Sequence, residues 1–131
     1  MENLAKQKCV PCEGGIPPFD EKMARKFLQE VKGWELVEGT KKIRKKFVFK
    51  NFLESMDFVN KMAAIAQIEG HHPDIFISYN RVEITNYTHK INGLHNNDFV
   101  LAAKIDLLYK NNGRFFMAYS RKENIYNTRL A

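Results

Sequence analysis

The run NFLESMDFVNKMAAIAQIEGHHPDIFISYNRVEITNYTH, residues 51–89, decides the fold. Its first half carries Phe52, Met56, Val59, Met62, Ala63 and Ala66 at helical spacing. Asn51 is a helix-capping residue type, and Gly70 sits where a left-handed glycine would stop the helix. The second half changes period. Ile75, Ile77 and Tyr79, then Val82 and Ile84 up to Asn86–Tyr87, alternate on either side of a turn placed at Asn80-Arg81, which predicts an antiparallel hairpin.

The same grammar holds toward the N-terminus. Glu13-Gly14-Gly15-Ile16-Pro17-Pro18 is loop chemistry, and Asp20 can cap a helix with Met23, Phe27, Leu28 and Val31 on one face, ended by Gly33. Trp34 to Val37 and Ile43 to Lys50 flank the turn Glu38-Gly39-Thr40 and read as a first hairpin. Beyond Gly93, a third helix is expected from Asn97 to Tyr109, with Val100, Ala103, Lys104, Leu107 and Leu108 dividing its faces. The order α-β-β-α-β-β-α implies an α+β fold: a four-stranded antiparallel sheet with helices packed on one face. Residues 1–18 form an N-terminal arm, 19–112 the core domain and 113–131 a C-terminal extension. In that extension Phe115, Phe116, Met117 and Tyr119 are expected to add a strand or dock on the body.

With 131 residues, 44% hydrophobic and 27% charged, the chain has material for one core. The opening MENLAKQKCVPC has no apolar signal core, and no run reaches the roughly 18 apolar residues of a membrane span. A cytoplasmic protein is expected. Net charge is +6 and the pI about 9.3, yet the densest basic run, Lys41 to Lys46, is interleaved with Ile43 and followed by Phe47 and Phe49. That is the pattern of a half-buried strand with a solvated face, so direct nucleic-acid binding is not expected. Cys9 and Cys12 form a Cys-x-x-Cys pair without the further ligands of a closed zinc site, and are read as a reduced pair. Redox chemistry, or a metal completed by histidine or another chain, is the alternative.

Chemistry is concentrated in the histidines. His71 and His72 follow the helix stop, Pro73 forbids further helix, and His89 closes the second hairpin. The entry of an antiparallel hairpin lies beside its exit, so these three histidines should meet at one end of the sheet. Imidazole donates and accepts protons near neutral pH, which suits acid and base work on a leaving hydroxyl. Neighbours in an extended segment point to opposite sides, so His71 and His72 are poorly placed to chelate one ion, and no metal is expected. His95, before the third helix, has no partner implied by the hairpin.

His71-His72-Pro73, Tyr79, His89 and Asp98 stand at spacings that resemble the pterin-4a-carbinolamine dehydratases, which in animals are also dimerisation cofactors of a homeodomain transcription factor. The resemblance extends through Cys9-Val10-Pro11-Cys12-Glu13-Gly14-Gly15 and from Gly93-Leu94 to Asp106. It implies dehydration of a 4a-hydroxytetrahydropterin to a quinonoid dihydropterin, in support of tetrahydrobiopterin recycling. The pterin is then the substrate, no cofactor is needed, and the assembly is a homodimer or homotetramer. By matching position, His71 and His89 are implied as acid and base and His72 as a holder of the ring. Gly70, Thr88 and Lys90 would line the pocket, and Phe76 and Tyr79 could supply apolar contact. Asp98 is implied as a cap of the third helix. Two positions depart from the family pattern: Gln67 stands where a charged supporter of the histidines is usual, and His95 where a capping Thr is common, leaving Asn96 or Asn97 to cap. The alternative reading is a non-catalytic interaction module, a transcriptional cofactor working through helix faces.

Overall fold

A computed structural model describes residues 3–11 and 14–111. Cys12 and the C-terminal extension with Phe115, Phe116, Met117 and Tyr119 lie outside the described residues. The elements follow the expected order. They are α1 (Glu21–Leu28), β1 (Glu35–Val37), β2 (Lys42–Val48), α2 (Phe52–Glu69), β3 (Asp74–Ser78), β4 (Arg81–Asn86) and α3 (Asn96–Lys110), with short 3-10 turns at Leu4–Lys6 and His89–Ile91.

The strands form one antiparallel sheet in the order β1-β2-β4-β3. Register follows side-chain chemistry. Ile43 and Phe47 of β2 and Val82 and Ile84 of β4 are buried, and pack with Phe58, Met62, Phe99 and Ile105 of α2 and α3. The intervening residues of the same strands, such as Lys46 and Arg81, stay exposed on the uncovered face. Phe58 is fully buried at the centre of this layer, with ring centroids 5.1 Å from Phe47, 5.0 Å from Phe49 and 5.9 Å from Tyr109. On the same covered face, the Asp106 carboxylate on α3 accepts from Lys45 Nζ at 2.8 Å and from Trp34 Nε1 at 3.1 Å. Burial nonetheless raises its pKa, against the lowering effect of those two donors.

Four local expectations are corrected. α1 ends at Leu28, not Gly33, because Glu30 N and Val31 N bond to Phe27 O and Leu28 O three residues back, tightening the last turn. Met23 is exposed, so Ala24 rather than Met23 faces the core. The second hairpin turns at Tyr79-Asn80, since Ser78 pairs with Arg81. Asn80 is pinned to the end of β2, its carbonyl accepting from Phe49 N at 2.7 Å and its amide donating to Phe49 O at 3.2 Å. Finally, α3 is capped by His95 and begins at Asn96. Its first half is buried nearly all round, from Asn97 to Ala102, so no simple two-faced pattern was available there.

Phe58→Ala should lower unfolding free energy by about 3–5 kcal/mol, whereas Phe76→Ala on the open sheet face should change it by less than about 0.5 kcal/mol. Urea denaturation of the two variants checks the contrast.

Candidate active site

Gly70 ends α2 in the left-handed conformation, φ 66 and ψ 25. Its N–H donates to Ala66 O and Gln67 O, and His71 N donates to Ala66 O at 3.2 Å. Only a residue without a Cβ adopts this geometry without strain, so Gly70 fixes where His71 leaves the helix. His89 reaches the same region from the end of β4. Thr88 bonds across to Gly93, N–H to carbonyl at 2.9 Å in one direction and 3.4 Å in the other, closing the loop that carries His89 and Lys90. A Cβ on Gly93 would stand 2.5 Å from Pro18 Cβ, so this loop also requires glycine. The His89 ring lies against Tyr87, centroids 4.1 Å apart.

These devices bring Gly70, His71, His72, Thr88, His89 and Lys90 to one cleft of about 340 Å³. The volume lies in the range of small-ligand sites. Val10, Pro11 and Asn97 complete its wall.

Beneath the cleft lies Asp98, fully buried. Its Oδ1 accepts from His71 Nε2 at 2.6 Å, and its Oδ2 accepts from Thr88 Oγ1 at 2.8 Å and from His95 N at 2.9 Å. An ionised carboxylate can only accept, so opposite one His71 donates through Nε2, and a neutral ring then has Nδ1 as its acceptor. Asp98 therefore does more than cap α3: it also sets the tautomer and orientation of His71. His72 is exposed, with Nε2 at 3.0 Å from Gln67 Oε1, so the neutral residue at position 67 still supports a histidine. Glu69 is engaged elsewhere, accepting from Cys9 N at 2.8 Å.

Other positions part from the cluster. Tyr79 sits at the hairpin turn, φ 49, at the opposite end of the hairpin from the histidines and 64% exposed. Phe76 is 65% exposed on the uncovered sheet face. Neither lines the cleft and neither is core. His95 packs at a tilt against Phe19, centroids 4.8 Å apart. Sequence reasoning missed Val10, Pro11 and Asn97 as site residues, although Val10 and Pro11 lie within the matching N-terminal motif. Burial pushes the Cys9 thiol up to about 12, with the nearby Glu69 charge adding to the effect, and Cys9 Sγ lies 3.6 Å from Asn97 O. Among the described residues, no three His, Cys, Asp or Glu side chains are grouped to hold a metal ion. No helix among them is long and apolar enough to cross a membrane.

The profile of the family described as pterin 4 alpha carbinolamine dehydratase matches residues 17–108. The chain belongs to this family. A protein of Methylococcus capsulatus provisionally named a pterin-4-alpha-carbinolamine dehydratase is 46% identical over 106 residues, covering 81% of this chain and 93% of that one. A Rickettsia canadensis protein with the same provisional name is 47% identical over 106 residues, covering 81% and 97%. Among solved structures, one described as a transcriptional coactivator/pterin dehydratase from Brucella melitensis aligns with a TM-score of 0.67 at 33% identity, covering 70% of this chain and 98% of that one. The matched span of the pterin carbinolamine dehydratase profile contains His71, His72, His89 and Asp98.

Asp98→Asn replaces an acceptor oxygen by a donor amide facing other buried donors, and should cost about 1–3 kcal/mol of stability, read as a lower urea midpoint. In a Cys12→Ser chain, Cys9 should react with iodoacetamide at pH 8 about a hundredfold or more slowly than a free cysteine, because the thiolate is the nucleophile. The rate should keep rising with pH beyond 9, and unfolding in urea should restore ordinary reactivity.

Proposed function

We propose that the chain dehydrates a 4a-hydroxytetrahydropterin to the quinonoid dihydropterin, with His71 and His89 moving the protons and His72 holding the ring. The observation that carries this reading is the single cleft shared by His71, His72 and His89, with His71 backed by the buried Asp98 carboxylate. Family membership supports it.

Dehydration needs a proton delivered to the 4a hydroxyl and a proton removed from N5. As the C4a–O bond breaks, the N5 lone pair forms the C4a=N5 double bond, water leaves, and N5 gives up its proton. A histidine with Nε2–H bound to a carboxylate presents Nδ1 as a base, and the carboxylate lies beside the positive charge that appears when Nδ1 takes the proton. On this reading His71 is the base at N5. His89, exposed in the cleft wall and tilted against Tyr87, is the acid for the hydroxyl. His71 gains the proton that His89 loses, exchange with solvent resets both before the next turnover, and no electrons are transferred. On this reading the product would be reduced by another enzyme, and a role in tetrahydropterin recycling in the cytoplasm is part of the same proposal.

A second reading has its own observation. Ile68, 82% exposed, and Leu107 border an apolar groove between α2 and α3, away from the histidines. A homo-oligomer, or a partner protein in the manner of a transcriptional cofactor, would cover such a face.

The two readings separate by mutation. Generating the 4a-carbinolamine with an aromatic amino-acid hydroxylase and following its decay by absorbance should show acceleration by the wild-type chain. His71→Ala and His89→Ala should each lose about 10²–10⁴ of that acceleration. An interaction module would give no acceleration at all, and its partner binding would survive both substitutions.

A further inference from the structure

The geometry points to the N-terminal arm as the apolar, substrate-contacting wall of the pterin cleft, with Asn97 as the positioning residue that holds it there. This rests on the dehydratase reading and deepens it. Apart from Val10 and Pro11, the side chains of the cleft wall are polar: the three histidines, Thr88, Lys90 and Asn97. A flat heterocycle such as a pterin also needs apolar contact. Phe76 and Tyr79 are too far round the sheet to give it. Val10 is 65% exposed in the free protein, an aliphatic side chain at the cleft with no burial of its own to explain it.

The arm is built into place. The Asn97 side chain grips the Val10 backbone in both directions, Oδ1 accepting from Val10 N at 2.9 Å and Nδ2 donating to Val10 O at 2.6 Å. This two-way bond imitates one rung of an antiparallel ladder. Glu69 holds Cys9 N at 2.8 Å, and Lys104 Nζ donates to Ala5 O at 3.0 Å. Leu4 is buried in the core cluster, anchoring the arm's start. Three polar side chains of α2 and α3 thus hold the backbone of a segment that belongs to no sheet. Asn97 is the one in the cleft itself, next in sequence to Asp98.

Steady-state dehydration kinetics and binding of 7,8-dihydrobiopterin, a pterin that cannot dehydrate, test the assignment on the full-length chain. Val10→Ser and Asn97→Ala should each raise KM and the dihydrobiopterin Kd by about fivefold to tenfold, with kcat within about twofold of wild type. Asn97→Asp keeps the acceptor for Val10 N and loses the donor to Val10 O, so it should fall between wild type and Asn97→Ala. Val10 is exposed, so Val10→Ser should unfold at the wild-type temperature and isolates the contact from folding. The assignment is overturned if both variants bind dihydrobiopterin as wild type does, or if kcat falls while KM and Kd stay put. In either case wild-type dehydration would stand. A wild-type chain that neither binds the pterin nor accelerates dehydration would remove both readings together.

Discussion

One buried carboxylate organises the molecule's functional end. Asp98 gathers the end of α2 through His71, the exit of β4 through Thr88 and the start of α3 through its own cap at His95. Each partner donates, and three donors on two oxygens leave the charge well satisfied in a site with no exposure. Remove the charge and three chain segments lose their common point at once. The rest of the fold can be read as the scaffold that lets those segments arrive together: a helix stopped at Gly70, a hairpin folded back at Tyr79-Asn80, and a loop closed by Thr88 and Gly93.

The division of labour proposed for the histidines follows from what each one touches. His71 is buried and fixed through one nitrogen. His72 is exposed and leans on a neutral amide. His89 rests on an aromatic ring that also faces the Lys42 ammonium, 4.4 Å from the Tyr87 centroid. Three identical side chains thus occupy three environments, and the proposed acid, base and holding roles differ in the same way.

The architecture was legible in the sequence because each element announced itself locally. The 51–70 helix had a period, a cap and a glycine stop, and the hairpin had strict alternation. The convergence of His71, His72 and His89 was legible too, since it needed only the antiparallel rule. Where reading failed, tertiary bonds decided. Tyr79 looked like a strand residue because it continued the alternation of Ile75 and Ile77, but Asn80 is claimed by Phe49, a residue 31 positions away, and the turn moved with it. Asp98 looked like a cap, which it is. Its second role depends on His71, 27 residues distant, and no local pattern carries that information. Asn97 was invisible for the same reason: an amide gripping a backbone 87 residues away leaves no spacing to find.

Gln67 has a consequence of another kind. Its contact with His72 is exposed and uncharged at the Gln67 end. An ion pair in that place would weaken as mobile ions crowd the surface, over a distance of about 8–10 Å at ordinary ionic strengths. An amide dipole feels little of this. The support given to His72 is thereby less sensitive to the surrounding salt than an ion pair in that place would be.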